Sequence, residues 1–289
     1  MTTNTYDFLY KRALTRAVHS TVIPDRTNIG CRSVFDINLY TNTLETDTKN
    51  IYNFPILTLR KVSSRIAFEE LMWMMRGSTD VTELQEKNIH IWDEHSSREF
   101  LDSRGLDYLP ENSIGKAYGY QMRNFNGVDQ LRKVYDGLKN DPYGRRHLVS
   151  FWNVGELEEM ALEPCHFVYN FCVIDGTLNL KFIMRSNDAV LGQPTNIMFA
   201  SFWLIFFARA LGLKAGVVAC SVTNWHIYQN TLEAAEIMAE REPYVCPRIS
   251  VKKDLNSLED ILNLKWEDIQ IESYTHHDPI DKSKLIIAV

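Results

Sequence analysis

The chain has 289 residues and a formal net charge of −6 from 31 basic and 37 acidic side chains. No run of Lys or Arg is long enough to follow a nucleic-acid backbone, which argues against a nonspecific DNA or RNA binder. Hydrophobic residues make up 45% and charged residues 24%, an ordinary globular composition that leaves long disorder and coiled coil aside.

The N-terminal stretch M-T-T-N-T-Y-D-F-L-Y-K-R has no apolar segment behind a basic start, so no secretory signal is expected. No Gly-, Ser- or Pro-rich linker and no repeat divides the chain, and residues 1–289 are expected to form one continuous domain. Spacing of Ile66, Leu71, Trp73 and Met74 predicts a helix over residues 64–76, closed by Gly77. Leu131, Val134 and Leu138 share one face of a second helix over 128–139. Strands are predicted at 147–152, 166–174 and 177–184, the last two joined by the hairpin dipeptide Asp175-Gly176. The apolar run 197–211, flanked by Pro194 and Gly212, predicts a buried central helix. Its longest apolar stretch, 198–208, is closed by Arg209 and is too short to span a bilayer. The expected fold class is α+β, a large mixed, mostly antiparallel sheet packed against helices.

Five cysteines, Cys31, Cys165, Cys172, Cys220 and Cys246, are never spaced C-x-x-C, which argues against a disulfide framework and a zinc site. Cys165 stands in Glu163-Pro164-Cys165-His166 just before a strand, as either a nucleophile or a small buried hydrophobe. Arg26, Arg145, Arg146 and Arg185 lie at element ends and Ser186 follows the last, a set suited to an anion or to surface ion pairs. Glu70 sits in an apolar stretch of the first helix, where burial would raise its pKa, or on that helix's wet side. Asp188 and Asn196 flank Gly192 and Pro194 at the mouth of the buried helix, with His226 and Tyr228 further on; they are caps or ligand readers. Neither a phosphate-cradling Gly-rich loop, nor H-E-x-x-H, nor strand-G-x-G-x-x-G is present, and no metal is expected.

These motifs occur together in a fixed order: D-R-T with Arg26, F-P-I-L-T from Phe54, E-L-M-W from Glu70, R-G-S-T-D from Arg76, H-I-W-D from His90, and A-Y-G-Y-Q from Ala117. They continue with R-R-H-L-V-S-F-W-N from Arg145, M-A-L-E-P-C-H to His166, R-S-N-D-A-V-L-G-Q-P-T-N-I from Arg185, H-I-Y-Q-N from His226, and the terminal Ala288-Val289. In this ordered set the chain resembles the thymidylate synthase family from about residue 25 to its end. The resemblance implies that Cys165 adds to C6 of a pyrimidine nucleotide, dUMP, and that 5,10-methylenetetrahydrofolate is the cosubstrate. It implies phosphate binding by Arg26, Arg185 and Ser186, with Arg145 and Arg146 reaching across from the partner of an obligate homodimer.

Asn196 would read the pyrimidine O4 and N3, and His226 and Tyr228 would hold the 3′-hydroxyl, with His166 and Asn170 among the other nucleotide-side positions. Glu70 would shuttle protons and Tyr118 would assist proton removal at C5. Ile91, Trp92, Asp188, Gly192 and the C-terminal Val289 would meet the folate, and Arg60 its glutamate tail. The compartment implied is the cytoplasm, a host's if the gene is virus-encoded.

The chain departs from the family pattern at Asn170, Thr195, Lys116-Ala117, Met122, His95 and Thr223-Asn224-Trp225. These departures leave three readings: a synthase giving dTMP by hydride transfer; a dUMP hydroxymethylase in which water captures the same methylene intermediate; and a catalytically retired nucleotide or RNA binder. Asn196 speaks against a dCMP-specific relative.

Overall fold

A computed structural model describes residues 4–287. Among them the strands are β1 (Val22–Ile23), β2 (Cys31–Tyr40), β3 (Ile51–Asn53), β4 (His147–Ser150), β5 (His166–Ile174), β6 (Thr177–Asp188), β7 (Lys214–Tyr228), β8 (Arg248–Val251) and β9 (Ile269–Ser273). The helices are α1 (Thr5–Val18), α2 (Ser64–Met75), α3 (Thr82–Gln85), α4 (Asp93–Ser96), α5 (Arg98–Ser103), α6 (Gly119–Asn124), α7 (Gln130–Asn140), α8 (Gly192–Leu211), α9 (Leu232–Glu240) and α10 (Leu258–Leu262).

Alternation of inward and outward side chains, interrupted by bulges, builds the main sheet. In β5, Tyr169, Phe171 and Val173 point inward while Asn170, Cys172 and Ile174 are exposed. The strand order is β1-β2-β7-β6-β5-β4, antiparallel except for the parallel pair β6-β7. A smaller antiparallel sheet, β3-β8-β9, lies apart from it. The hairpin between β5 and β6 turns through Asp175 (φ 48°) and Gly176 (φ 69°), the two left-handed residues that match the twist of the strands.

On the inner face of the main sheet lies α8, apolar around nearly its whole circumference and buried from Ile197 to Ala208. Trp203 packs on Tyr169 with ring centroids 5.0 Å apart, and Phe207 stacks on Phe171 at 5.4 Å. Each such ring removed from water contributes about 2–3 kcal/mol, so this seam is the centre of the core. By length and composition α8 could also cross a membrane; here it is the core helix, with α2 packed on its other side.

The predicted elements are found with shifted ends. The helix expected from 197 starts at Gly192, because Pro194 occupies its first turn, where a missing N–H costs nothing. The strand expected to stop at 184 runs on to Asp188, since the parallel ladder continues through Ser186↔Asn224 and Asp188↔His226. The strand expected over 147–152 ends at Ser150. That extension matters, because β7 runs parallel and β5 antiparallel to β6. The C-terminal ends of β6 and β7, the start of β5 and the start of α8 therefore meet at one end of the sheet.

Candidate active site

An open cavity of about 370 Å³ lies at that end. Its wall includes Cys165 just before β5 and His166 at its start, Arg185, Ser186 and Asp188 from the end of β6, and Gly192 and Asn196 from the first two turns of α8. His226 and Tyr228 enter from the end of β7, Glu70 from α2, Tyr118 from the turn before α6, Ile91 and Trp92 from the turn before α4, and Arg26 from the loop after β1.

Cys165 keeps part of its surface open to this cavity. Its backbone N–H donates to the Tyr118 hydroxyl at 2.8 Å. Arg185 braces the same elbow: its Nε donates to the Pro164 carbonyl at 3.0 Å, its Nη2 to the Glu163 carbonyl at 2.8 Å, and its backbone N–H to the Cys165 carbonyl at 3.0 Å. Burial pushes the Cys165 thiol up, while the Arg185 and Arg26 guanidinium groups pull the other way. Burial wins, so the resting group is a thiol, and its ionisation needs a proton acceptor within the site.

Glu70 is well placed for proton traffic. It is buried, its carboxyl is pushed up to about 7 by desolvation, and its Oε1 accepts from Trp92 Nε1 at 2.9 Å. A carboxyl with that pKa exchanges protons readily near neutral pH. Tyr118 adopts φ 29°, ψ −84°, a strained backbone for a residue with a side chain. Its ring stacks on His166 with centroids 4.5 Å apart, and burial holds His166 neutral, with its pKa lowered to about 3.

Asp188 accepts from the backbone N–H groups of Val190 and Leu191 at 2.7 and 3.1 Å, which fixes the turn into α8. Burial pushes Asp188 up and His226 down, so both tend toward their neutral forms although each charge would favour the other. His226 Nδ1 lies 3.4 Å from Ser186 Oγ and 3.1 Å from Asn224 Oδ1.

Four of the residues named from sequence are not on this wall. Arg60 is buried and turned inward, its Nη2 donating to the Val190 carbonyl at 2.7 Å behind Asp188. Arg145 and Arg146 are exposed in the turn before β4, and Asn170 lies on the outer face of the sheet. Val289 lies outside the described residues. Conversely, Leu162, Met184, Asn187, Leu191 and Ile287 line the cavity without having been assigned a place there. Of these, Met184 carried a readable signal: it shares strand parity with Ser186 and Asp188. His95, first noted only as a departure, also lines the cavity; burial and the Arg26 charge lower its pKa to about 4.

A protein-family model described as thymidylate synthase matches residues 5–286 of the chain. The chain belongs to the thymidylate synthase family. It is 36% identical over 277 residues to the bifunctional dihydrofolate reductase-thymidylate synthase of Plasmodium berghei, covering 91% of this chain and 46% of that protein. It is 35% identical over 269 residues to the thymidylate synthase of varicella-zoster virus, with 89% and 86% covered. The human thymidylate synthase gives 35% over 269 residues, with 89% and 83% covered. The chain thus spans about half the length of its bifunctional Plasmodium relatives and most of the viral and human ones. The fold expected from the resemblance, a large mostly antiparallel sheet packed against helices, is the one found.

Proposed function

We propose that this chain converts dUMP to dTMP, taking the one-carbon unit from 5,10-methylenetetrahydrofolate. The observation that carries the reading is the placement of Cys165 on one cavity wall together with Arg26, Arg185 and Ser186, with Glu70, Tyr118 and Asn196 around the same space. The cationic groups and the Ser186 hydroxyl suit the 5′-phosphate, and Asn196 offers an amide to the N3/O4 edge. His226 and Tyr228 hold the deoxyribose hydroxyl.

In this site Cys165 Sγ forms a bond to C6 of the pyrimidine, and the electron pair of the C5=C6 bond moves toward C5 and O4. Glu70 relays the protons that this addition and the later loss of the C5 proton require, and Tyr118 assists at C5. The folate supplies both the carbon and the hydride and leaves as dihydrofolate; hydride arrival at the exocyclic carbon re-forms the C5=C6 bond and expels Cys165 Sγ from C6. The apolar wall of Ile91, Trp92 and Leu191, with the half-buried carboxyl of Asp188 beside it, has the character that a pteridine ring requires.

A second copy of the chain belongs to this reading. The outer face of the main sheet leaves Phe35 73%, Ile174 63% and Leu148 45% exposed, an apolar surface that a homodimer would cover. Arg145 and Arg146, beside Leu148, would then reach the partner's phosphate site. The relatives that support the synthase reading bear the synthase name.

Incubation with dUMP and methylenetetrahydrofolate, followed by mass identification of both products, tests the reaction. Equal amounts of dTMP and dihydrofolate are expected. 5-Hydroxymethyl-dUMP with tetrahydrofolate would instead mean capture by water and would overturn the synthase reading, and the absence of both products would overturn one-carbon transfer altogether.

A further inference from the structure

Behind Asn196 lies a run of polar side chains that the proposed reaction does not use. Asn187, near the end of β6, is 3% exposed, and Gln193, in the first turn of α8, is fully buried. Asn187 Nδ2 donates to Gln193 Oε1. The same oxygen lies 3.9 Å from the Sγ of Cys220, a buried thiol on β7. At the other end Asn196 Nδ2 donates to Asn187 Oδ1 at 3.4 Å and lies 3.8 Å from Met184 Sδ.

The two ends of an amide have nearly the same shape and opposite hydrogen-bonding character, so an unrestrained asparagine presents either end to a ligand. A chain of amides passes one choice along, because reversing one member sets donor against donor at the next. The termini here decide the direction. Met184 offers a thioether, which only accepts, so the Asn196 NH2 group belongs on its side. Cys220 is buried and its thiol is pushed well above the ordinary range, so it stays protonated and donates toward Gln193 Oε1.

We propose that Cys220, Gln193 and Asn187 form a polarity lock that holds the Asn196 amide in the orientation matching uracil and opposing cytosine. This rests on the reading of Asn196 as the residue that faces the pyrimidine. Uracil presents an N3–H donor and an O4 acceptor; cytosine presents an N3 acceptor and an amino donor. Cytosine therefore asks for the reversed amide, which the lock resists through every hydrogen bond behind it. Asn187, Gln193 and Cys220 are thus positioning residues, acting on base choice through Asn196.

Titration calorimetry with dUMP and with dCMP, in the absence of folate, tests the lock. The native chain is expected to prefer dUMP. Gln193→Leu removes the acceptor that orients Asn187, and the dUMP-to-dCMP affinity ratio should fall about five- to tenfold, mainly through gained dCMP binding, since one net hydrogen bond is at stake. Gln193→Glu keeps that acceptor and should return the ratio to within twofold of native. An unchanged ratio in folded Gln193→Leu, or equal weakening for both nucleotides, overturns the lock. Should Gln193→Leu not fold, Cys220→Ala decides the matter: a lowered ratio supports the lock and an unchanged one overturns it. A native chain that binds neither nucleotide overturns the functional reading and the lock together, whereas native dUMP preference with insensitive variants removes the lock alone.

Discussion

Replacing Cys165 with alanine deletes one sulfur from a wall whose arginines and amide remain. Turnover of dUMP is expected to fall by about 10³-fold or more, the scale for loss of a nucleophile. Affinity for dUMP, read by calorimetry, should change by less than about threefold, because Arg26, Arg185 and Asn196 are untouched; retained turnover would remove Cys165 from the proposed chemistry. Glu70 makes a different prediction. With its carboxyl near 7, the pH profile of kcat should show an inflection close to neutrality. Glu70→Gln should flatten that inflection and lower kcat by roughly 10²- to 10⁴-fold. An inflection that survives in Glu70→Gln belongs to another group.

Among the elements, α1 is tied to the site's second layer by a buried carboxyl. Asp7 Oδ2 accepts from the Thr58 N–H at 2.8 Å and from its hydroxyl at 2.5 Å, two residues before Arg60, while Oδ1 is buried without a partner among the described residues. Burial pushes Asp7 from 3.8 up to about 7. Its folded pKa thus lies above its unfolded one, so the folded state holds the extra proton between those values. Stability is fully present below pH 4 and is lost as the pH rises toward and through 7, by at most about 4 kcal/mol. Asp7→Asn keeps an acceptor for Thr58 and cannot ionise. Its melting temperature should match the native one near pH 4 and exceed it by several degrees at pH 8; parallel curves at both pH values would show that Asp7 does not titrate with folding.

The turn before α6 gives a second element-level prediction. A Cβ at Gly119 would run into the Ser78 carbonyl oxygen, so Gly119→Ala must shift the backbone that holds Tyr118 in its strained conformation. About 1–3 kcal/mol of stability should be lost, with a larger proportional fall in kcat than in nucleotide affinity. Equal falls in the two would mean that the turn does not set Tyr118.

At the scale of the whole molecule, the prediction concerns two copies. The chain should sediment at twice its 33.6 kDa. The Cys165→Ala protein and an Arg145→Ala/Arg146→Ala protein should each be inactive, and mixing them should restore activity, because one hybrid dimer carries an intact thiol beside intact partner arginines. A mixture no more active than its components would confine each site to one chain.

How much of this was legible in the sequence follows from which forces are local. The β5-β6 hairpin was readable because Asp175-Gly176 fixes a turn whose strands alternate on either side. The seam of α8 was readable because no other arrangement hides so apolar a run. The long strands β2 and β7 were not foreseen: β7 mixes small and polar residues such as Ala219, Ser221 and Thr223, and only its pairing with β2 and β6 makes it a strand. The roles of Cys165 and Glu70 come into view through the order of motifs, since Cys165 alone reads more readily as a small buried hydrophobe than as a nucleophile, and Glu70 alone as either a buried carboxyl or the wet side of its helix. Asn187 and Gln193 carried no signal, because their meaning lies in hydrogen bonds to each other and to Asn196.

The apolar helix at the centre of the fold also bears on how the chain is made. During synthesis α8 emerges before β7, the strand that completes the inner face beneath it. For that interval a 20-residue segment that satisfies the length and hydropathy of a membrane span has only part of its burial partner available. A ribosome-bound chain whose emerged part ends shortly after Leu211 is thus the form most exposed to chaperone capture or mistaken membrane insertion, and the hazard ends once β7 has paired with β6 and β2.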